Sequence, residues 1–184
     1  MRIIIAGVMG VGKTTVLELV SKKSQYDVIS YGTLMFELAK EINLVENRDQ
    51  LRKLPVDTQI NLQKKASSAI GRMDNVIIDT HMSIKSPNGF LPGLPEWVLR
   101  ELKVSAFYLV EADPKLILER RRRDGTRNRD NDTIEDITNQ QNINRYYAVA
   151  YSVYTGATVM FVNNPEGSPE IAAGKILEGL TSAR

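Results

Sequence analysis

A three-layer α/β/α domain on a five-stranded parallel sheet is the fold class this sequence predicts. Two patterns point to it. Short apolar runs alternate along the chain with longer segments of helical period, which is how a parallel sheet wrapped by helices reads. The first apolar run, RIIIA, also passes through a glycine-rich turn directly into a helical pattern.

Residues 2–6 form the first expected strand, apolar after Arg2 and too short for a buried helix. Further strands are expected at 27–30 (DVIS), 75–79 (NVIID), 105–110 (SAFYLV) and 157–162 (ATVMFV). Helices are expected at 12–23, 33–42, 48–54, 57–71, 95–102, 114–123, 133–153 and 169–181. Asp113-Pro114 and Ser168-Pro169 each put a side-chain acceptor at an N-cap and proline at the first helical position. Asp132 with Glu135 has the spacing of a capping box. Residues 31–71 are a nearly all-helical excursion between two strands, 124–132 a short arginine-rich one, and 80–94 a loop carrying proline and glycine. Excursions of that size in a small α/β domain usually cover a site.

The 184 residues suit a single domain, and 42% hydrophobic with 25% charged residues is ordinary globular composition. Cysteine is absent, which excludes thiolate chemistry and suits a reducing cytoplasm. The apolar start is shorter than the roughly 20 residues that span a bilayer and runs into a glycine turn, so neither a membrane segment nor a signal peptide is expected. A net charge of +2 from 24 basic and 22 acidic residues is too balanced for a general nucleic-acid coat, and no DNA partner is expected.

Between the first strand and first helix lies GVMGVGKTT, residues 7–15. Gly7-x-x-x-x-Gly12-Lys13-Thr14 is the P-loop spacing, with the strand before and helix after that it requires. Its glycines let successive N–H groups turn inward as an anion nest, to which the helix adds its positive end. Gly7, Val8, Met9, Gly10, Val11, Gly12, Lys13, Thr14 and Thr15 are thus the expected ATP-binding residues, with Lys13 on the β- and γ-phosphates and the Thr14 hydroxyl on Mg²⁺. Asp79, ending the third strand, is the expected second holder of Mg²⁺, partly through water. The alternative for Asp79 is a carboxylate that caps the next turn. His81, the one histidine, stands at the same strand end and is assigned to substrate contact, against the alternative of a structural hydrogen bonder.

Residues 120–130 hold six arginines against two aspartates. Fixed guanidinium groups suit phosphoryl transfer, whose charge spreads over the moving oxygens. Arg120, Arg123, Arg127 and Arg129 are the expected catalytic arginines, while Arg121 and Arg122 are expected to face water. A solvated basic surface or an RNA-contacting patch is the alternative. Gly32-Thr33 opens a helix whose free N–H groups suit a second phosphate, and Arg48 and Arg52, one turn apart, suit a monophosphate. Surface pairing of these arginines with Glu46 and Asp49 is the bland alternative.

With these pieces in order, the chain resembles the archaeal-type adenylate kinases, which are P-loop nucleoside monophosphate kinases. The resemblance rests on GVMGVGKTT, YGTLM, RDQLRKLP, IIDTH, GFLPGLP, DGTRNRD and AYSVYTGATV, and covers nearly the whole chain. It implies Mg²⁺-dependent ATP + AMP ⇌ 2 ADP by direct in-line transfer, a monophosphate-binding segment at 31–71, a lid at 124–132 and a homotrimer. It also implies a phosphate contact for Arg145, which a helix-surface arginine would equally explain. Phe36 stands where bacterial and eukaryotic adenylate kinases place an arginine, and DTH replaces a stretch carrying a second one. Arg48, Arg52 and His81 are the candidates to supply that charge as AMP ligands, with Gly32 and Thr33. Asn163-Asn164-Pro165 is the expected adenine-facing loop. Two other functions stay open from sequence: a kinase for CMP, UMP or shikimate, and an RNA-linked regulatory ATPase.

Overall fold

RIIIAG can serve as a central strand because it buries both faces. Ile3, Ile4, Ile5 and Ala6 are all fully buried in β1 (Arg2–Gly7), and each such isoleucine contributes about 1.5–3 kcal/mol. The computed structural model describes residues 1–123 and 132–182. After β1 come α1 (Lys13–Lys23), β2 (Asp27–Ser30), α2 (Tyr31–Glu41), α3 (Arg48–Leu51), α4 (Val56–Gly71) and β3 (Val76–Thr80). The chain continues through β4 (Ser83–Ser86), β5 (Gly89–Pro92), α5 (Glu96–Leu102), β6 (Ala106–Glu111) and α6 (Pro114–Arg123). It closes with α7 (Ile134–Thr155), β7 (Thr158–Asn163) and α8 (Pro169–Ser182).

The main sheet has strand order β2-β3-β1-β6-β7, every neighbouring pair parallel. Ile3 and Ile5 face a layer made by α1 and α8, with Val16, Val20, Ala172 and Ile176 among the buried contacts. Ile4 and Ala6 face the opposite layer, where Ala66, Ile70, Val98, Leu102 and Tyr151 lie on α4, α5 and α7. The expected three layers and five strands are therefore present, each strand within one residue of its expected bounds. No helix among the described residues is long and apolar enough to cross a membrane.

The 31–71 excursion has a small core of its own, in which Ala39, Val45 and Leu62 pack with Met35, Phe36, Leu51 and Leu54. Tyr31 fastens it to α4: its hydroxyl lies 2.9 Å from both the Gln63 carbonyl and Ser67 Oγ. Burial pushes that phenol up to about 12.

Three local expectations are corrected. The 80–94 loop contains an antiparallel hairpin, β4 with β5, turning at Pro87-Asn88; Pro87 lies in the turn and Pro92 is the last residue of β5, so neither interrupts a strand. The helix expected at 48–54 closes at Leu51, three residues ahead of its expected end, and Pro55 then serves as the N-cap of α4. The capping box of α7 is Thr133 with Asp136, not Asp132 with Glu135. Thr133 Oγ1 accepts from the Asp136 N–H at 3.1 Å and Asp136 accepts from the Thr133 N–H at 3.0 Å. Asp132 is instead held by Arg121 Nη1 at 2.6 Å. The expected lid at 124–132, with Arg127 and Arg129, lies outside the described residues apart from Asp132.

Candidate active site

Gly7 ends β1 opposite Val110 of β6, and Ile5 pairs with Asp79 of β3, so the loop 7–12 and Asp79 share the carboxyl edge of the sheet. Ligands of open α/β sheets gather at that edge. Val8 and Val11 are buried and anchor the loop, while Met9 is exposed. Gly10 and Gly12 adopt φ of 82° and 87°, the left-handed region that side chains disfavour. Gly12 caps α1 without a side-chain acceptor, leaving the first-turn N–H groups open at the positive end of the helix.

Lys13, the first residue of α1, ion-pairs with Asp79 Oδ1. Burial lowers its ammonium to about 8. Thr14 and Thr15 follow with exposed side chains. The Thr14 hydroxyl and the Asp79 carboxylate are hard oxygen donors, the kind Mg²⁺ takes in pairs while keeping phosphate and water as its other ligands. Among the described residues no three acidic, histidine or cysteine side chains cluster as a metal cage.

Across the sheet edge, Ser30 pairs with Asp79 and its hydroxyl caps α2 by accepting the Thr33 N–H at 3.4 Å. Gly32 has open space where a Cβ would stand. Arg48 Nη2 donates to Thr33 Oγ1 at 2.5 Å, and its guanidinium lies 5.9 Å from the centre of the Phe36 ring. Phe36 thus presents an arginine from elsewhere in the chain. Neither Arg48 nor Arg52 meets Glu46 or Asp49 among the described ion pairs. His81 lies next to this group, with its pKa lowered by desolvation first and then by the positive charges of Lys13 and Arg52. Tyr151 holds the segment after His81 in place, donating to the Met82 carbonyl at 2.7 Å and accepting from the Leu94 N–H at 3.2 Å.

The arginines divide in a way the sequence did not show. Arg120 donates from Nη1 to the Val11 carbonyl at 3.0 Å and pairs with Glu166 at 2.6 Å. Arg121, expected to face water, has a side chain only 7% exposed. It donates to the Met9 carbonyl at 2.9 Å, to Asp132 at 2.6 Å and to Gln140 at 3.3 Å. The reason is position: Gly10 leaves no Cβ between the loop and α6, so the arginine lies against the loop. Arg122 is exposed as expected. Arg123 is 70% exposed and pairs loosely with Glu119 and Glu166. Arg145 makes a two-pronged pair with Glu111 at 2.6 and 2.7 Å and covers the Phe161 ring.

Glu166, Glu111 and Gln140 were not singled out from the sequence, and Asn164 was expected only as part of an adenine-facing loop. Asn164 is 2% exposed and donates from Nδ2 to the Val11 carbonyl at 2.8 Å, so its side chain holds the glycine loop. Among the described residues its Oδ1 has no partner, a burial that costs about 1–3 kcal/mol. A groove of about 520 Å³ between α4 and α5, lined by Lys64, Trp97 and Arg100, lies away from these residues.

Known proteins resemble this chain in sequence and in fold. The family model described as "AAA domain" matches residues 6–138. The chain is 60% identical to a protein named adenylate kinase from Thermoplasma acidophilum, over 97% of each chain. It is 57% identical to one of that name from Thermoplasma volcanium, over 96% of this chain and 98% of the other. With that of Methanothermobacter thermautotrophicus it shares 46% over 95% and 96%. Among solved structures it is similar to the shikimate kinase of Aquifex aeolicus, with a TM-score of 0.58 and 22% identity over 99% and 97% of the two chains. The shikimate kinase of Acinetobacter baumannii gives 0.62 and 15% over 100% and 94%. At those identities the structural likeness speaks for the fold alone.

Proposed function

This chain belongs to the adenylate kinase family, and from that premise we propose its reaction in full: Mg·ATP + AMP ⇌ 2 ADP by direct in-line transfer, the step that balances adenine nucleotides. The observation that supports the residue assignment is a chain of contacts along the sheet edge: Lys13 pairs with Asp79, whose strand neighbour Ser30 caps α2 at Thr33, and Thr33 accepts from Arg48. One side offers the N–H nest of residues 7–15. The other offers Gly32, Thr33, Arg48 and Arg52 for a monophosphate, on the helical segment 31–71 that we take as the AMP-binding unit.

Transfer needs little covalent help from protein, so catalysis comes from positioning and fixed charge. Lys13 exchanges Asp79 for the phosphates when ATP enters, which frees the carboxylate. Thr14 and Asp79 would then hold Mg²⁺, which neutralises charge on the phosphate oxygens when bound. Arg120 stands beside the nest from α6, and Arg123, Arg127 and Arg129 complete the reading as lid arginines over the transferred group. Arg145 joins them if Glu111 releases it. His81 stays neutral near pH 7 and offers AMP a hydrogen bond rather than a charge.

The reading extends to a homotrimer in the cytoplasm, where its three nucleotides are. Support for self-association comes from α7, where Tyr146, Val149 and Val153 form an exposed stripe on the layer that also holds the exposed Phe161 of β7, under Arg145. The deciding experiment measures ADP formation from Mg·ATP with AMP, CMP, UMP, GMP or shikimate, with and without RNA. AMP is expected to exceed every other acceptor by at least about tenfold in kcat/KM, since a site built to pair polar groups rejects mismatched ones strongly. ATP hydrolysis stimulated by RNA without AMP-dependent ADP would overturn the reading.

A further inference from the structure

The carbonyl of a trans peptide and the N–H of the next residue point in opposite directions, and the described chain has no cis peptide. Two peptides of the glycine loop have their carbonyls taken by side chains from distant parts of the chain. Met9 gives its carbonyl to Arg121 Nε at 2.9 Å. Val11 gives its carbonyl to Asn164 Nδ2 at 2.8 Å and to Arg120 Nη1 at 3.0 Å. The partner N–H groups, those of Gly10 and Gly12, are therefore turned away from α6 and from the β7–α8 loop. Neither donates to an acceptor among the described residues.

The holding side chains are themselves held. Arg121 is tied at its other nitrogens by Asp132 and Gln140. Asn164 is buried, and its one hydrogen bond from the side chain goes to Val11. The reverse amide orientation would set an oxygen against that carbonyl, so only this one bonds. Gly10 and Gly12 also make room for the grip. A Cβ on Gly12 would stand 2.5 Å from Asn164 Nδ2, and one on Gly10 would stand 3.0 Å from Arg121 Cγ.

We propose that Asn164 and Arg121 are positioning residues for the triphosphate: by turning the Val11 and Met9 carbonyls outward, they aim the Gly12 and Gly10 N–H groups before any anion arrives. The inference rests on reading residues 7–15 as the ATP cradle. Donors set in advance spare the ordering cost of binding and need no reorganisation during transfer.

The test compares Asn164→Asp, Arg121→Gln and Arg121→Lys with the wild type in KM for ATP and KM for AMP. Asn164→Asp keeps size but sets a carboxylate against the Val11 carbonyl. The ATP KM is expected to rise at least tenfold in Asn164→Asp and Arg121→Gln, with the AMP KM within twofold; Arg121→Lys, which keeps a donor, falls between. An ATP KM within twofold of wild type, or an equal rise in both KM values, overturns the proposal. A second readout needs no variant: in nucleotide-free wild-type protein, NMR should detect a coupling across the hydrogen bond from Asn164 Nδ2 to the Val11 carbonyl carbon. Its absence overturns the proposal. A wild type that binds no ATP would instead overturn the cradle reading, because the coupling is measured without nucleotide.

Discussion

Burial lowers the Lys13 ammonium to about 8 even with the Asp79 carboxylate against it. A triphosphate is a stronger anionic partner than one carboxylate, so bound Lys13 stays protonated at a higher pH than free Lys13. The sign follows: at pH about 9 the free site is largely deprotonated, and ATP binding takes up a proton. Titration calorimetry in two buffers of different ionisation heat should give different apparent enthalpies at that pH, and equal ones would contradict the shift. Lys13→Met should lower kcat/KM by about 10²–10³-fold, the loss typical when one transition-state charge partner is removed, while circular dichroism shows a folded chain. Arg52→Ala should raise the AMP KM by about 10–100-fold, as expected for a charge-assisted hydrogen bond, with the ATP KM within about twofold. These residues were legible because the P-loop is local: its glycines, lysine and threonine are contiguous, and their chemistry depends on spacing. Asn164 and Arg121 were not, since they meet Val11 and Met9 across 153 and 112 residues of chain.

The start of α7 sits directly after the residues expected to form the lid, and its capping box satisfies N–H groups that would otherwise be orphaned. Thr133→Ala removes an acceptor and should destabilise the protein by about 1 kcal/mol, seen as a fall in Tm of about 2–4 °C for a chain of this length. No change in Tm by calorimetry would mean that the cap does not stabilise the fold. The one-residue displacement of this cap from its expected place has a tertiary cause. Asp132 had the right residue type, but Arg121 takes its carboxylate, and Thr133 is left to cap. The β4–β5 hairpin was missed for a related reason. Its strands are four residues each, shorter than a period-2 pattern can announce, and the buried Tyr151 hydroxyl fastens the segment just before it to α7.

For the molecule as a whole, the α7 stripe is the clearest apolar surface not covered by its own chain, with Val153 82% exposed. Val153→Asp should shift the particle measured by light scattering from the mass of a trimer to that of one chain; an unchanged mass would move the interface elsewhere. The five strands were legible as short runs rich in apolar residues, and most of the helices through capping signals or a periodic face. Strand order was not, because order is chosen by which helix faces find cover, and that depends on all of them together.

By itself, then, the sequence determined the fold class, the nest between β1 and α1, and the residue types that could meet phosphate. These follow from local chemistry: glycine spacing, a lysine at the first turn of α1 and apolar runs of strand length. Only the tertiary structure decided which arginines serve the loop and which face water, that Arg48 lies over Phe36, and that Asn164 grips Val11. Such contacts join distant segments, and their partners are selected by packing geometry, which no stretch of sequence carries alone.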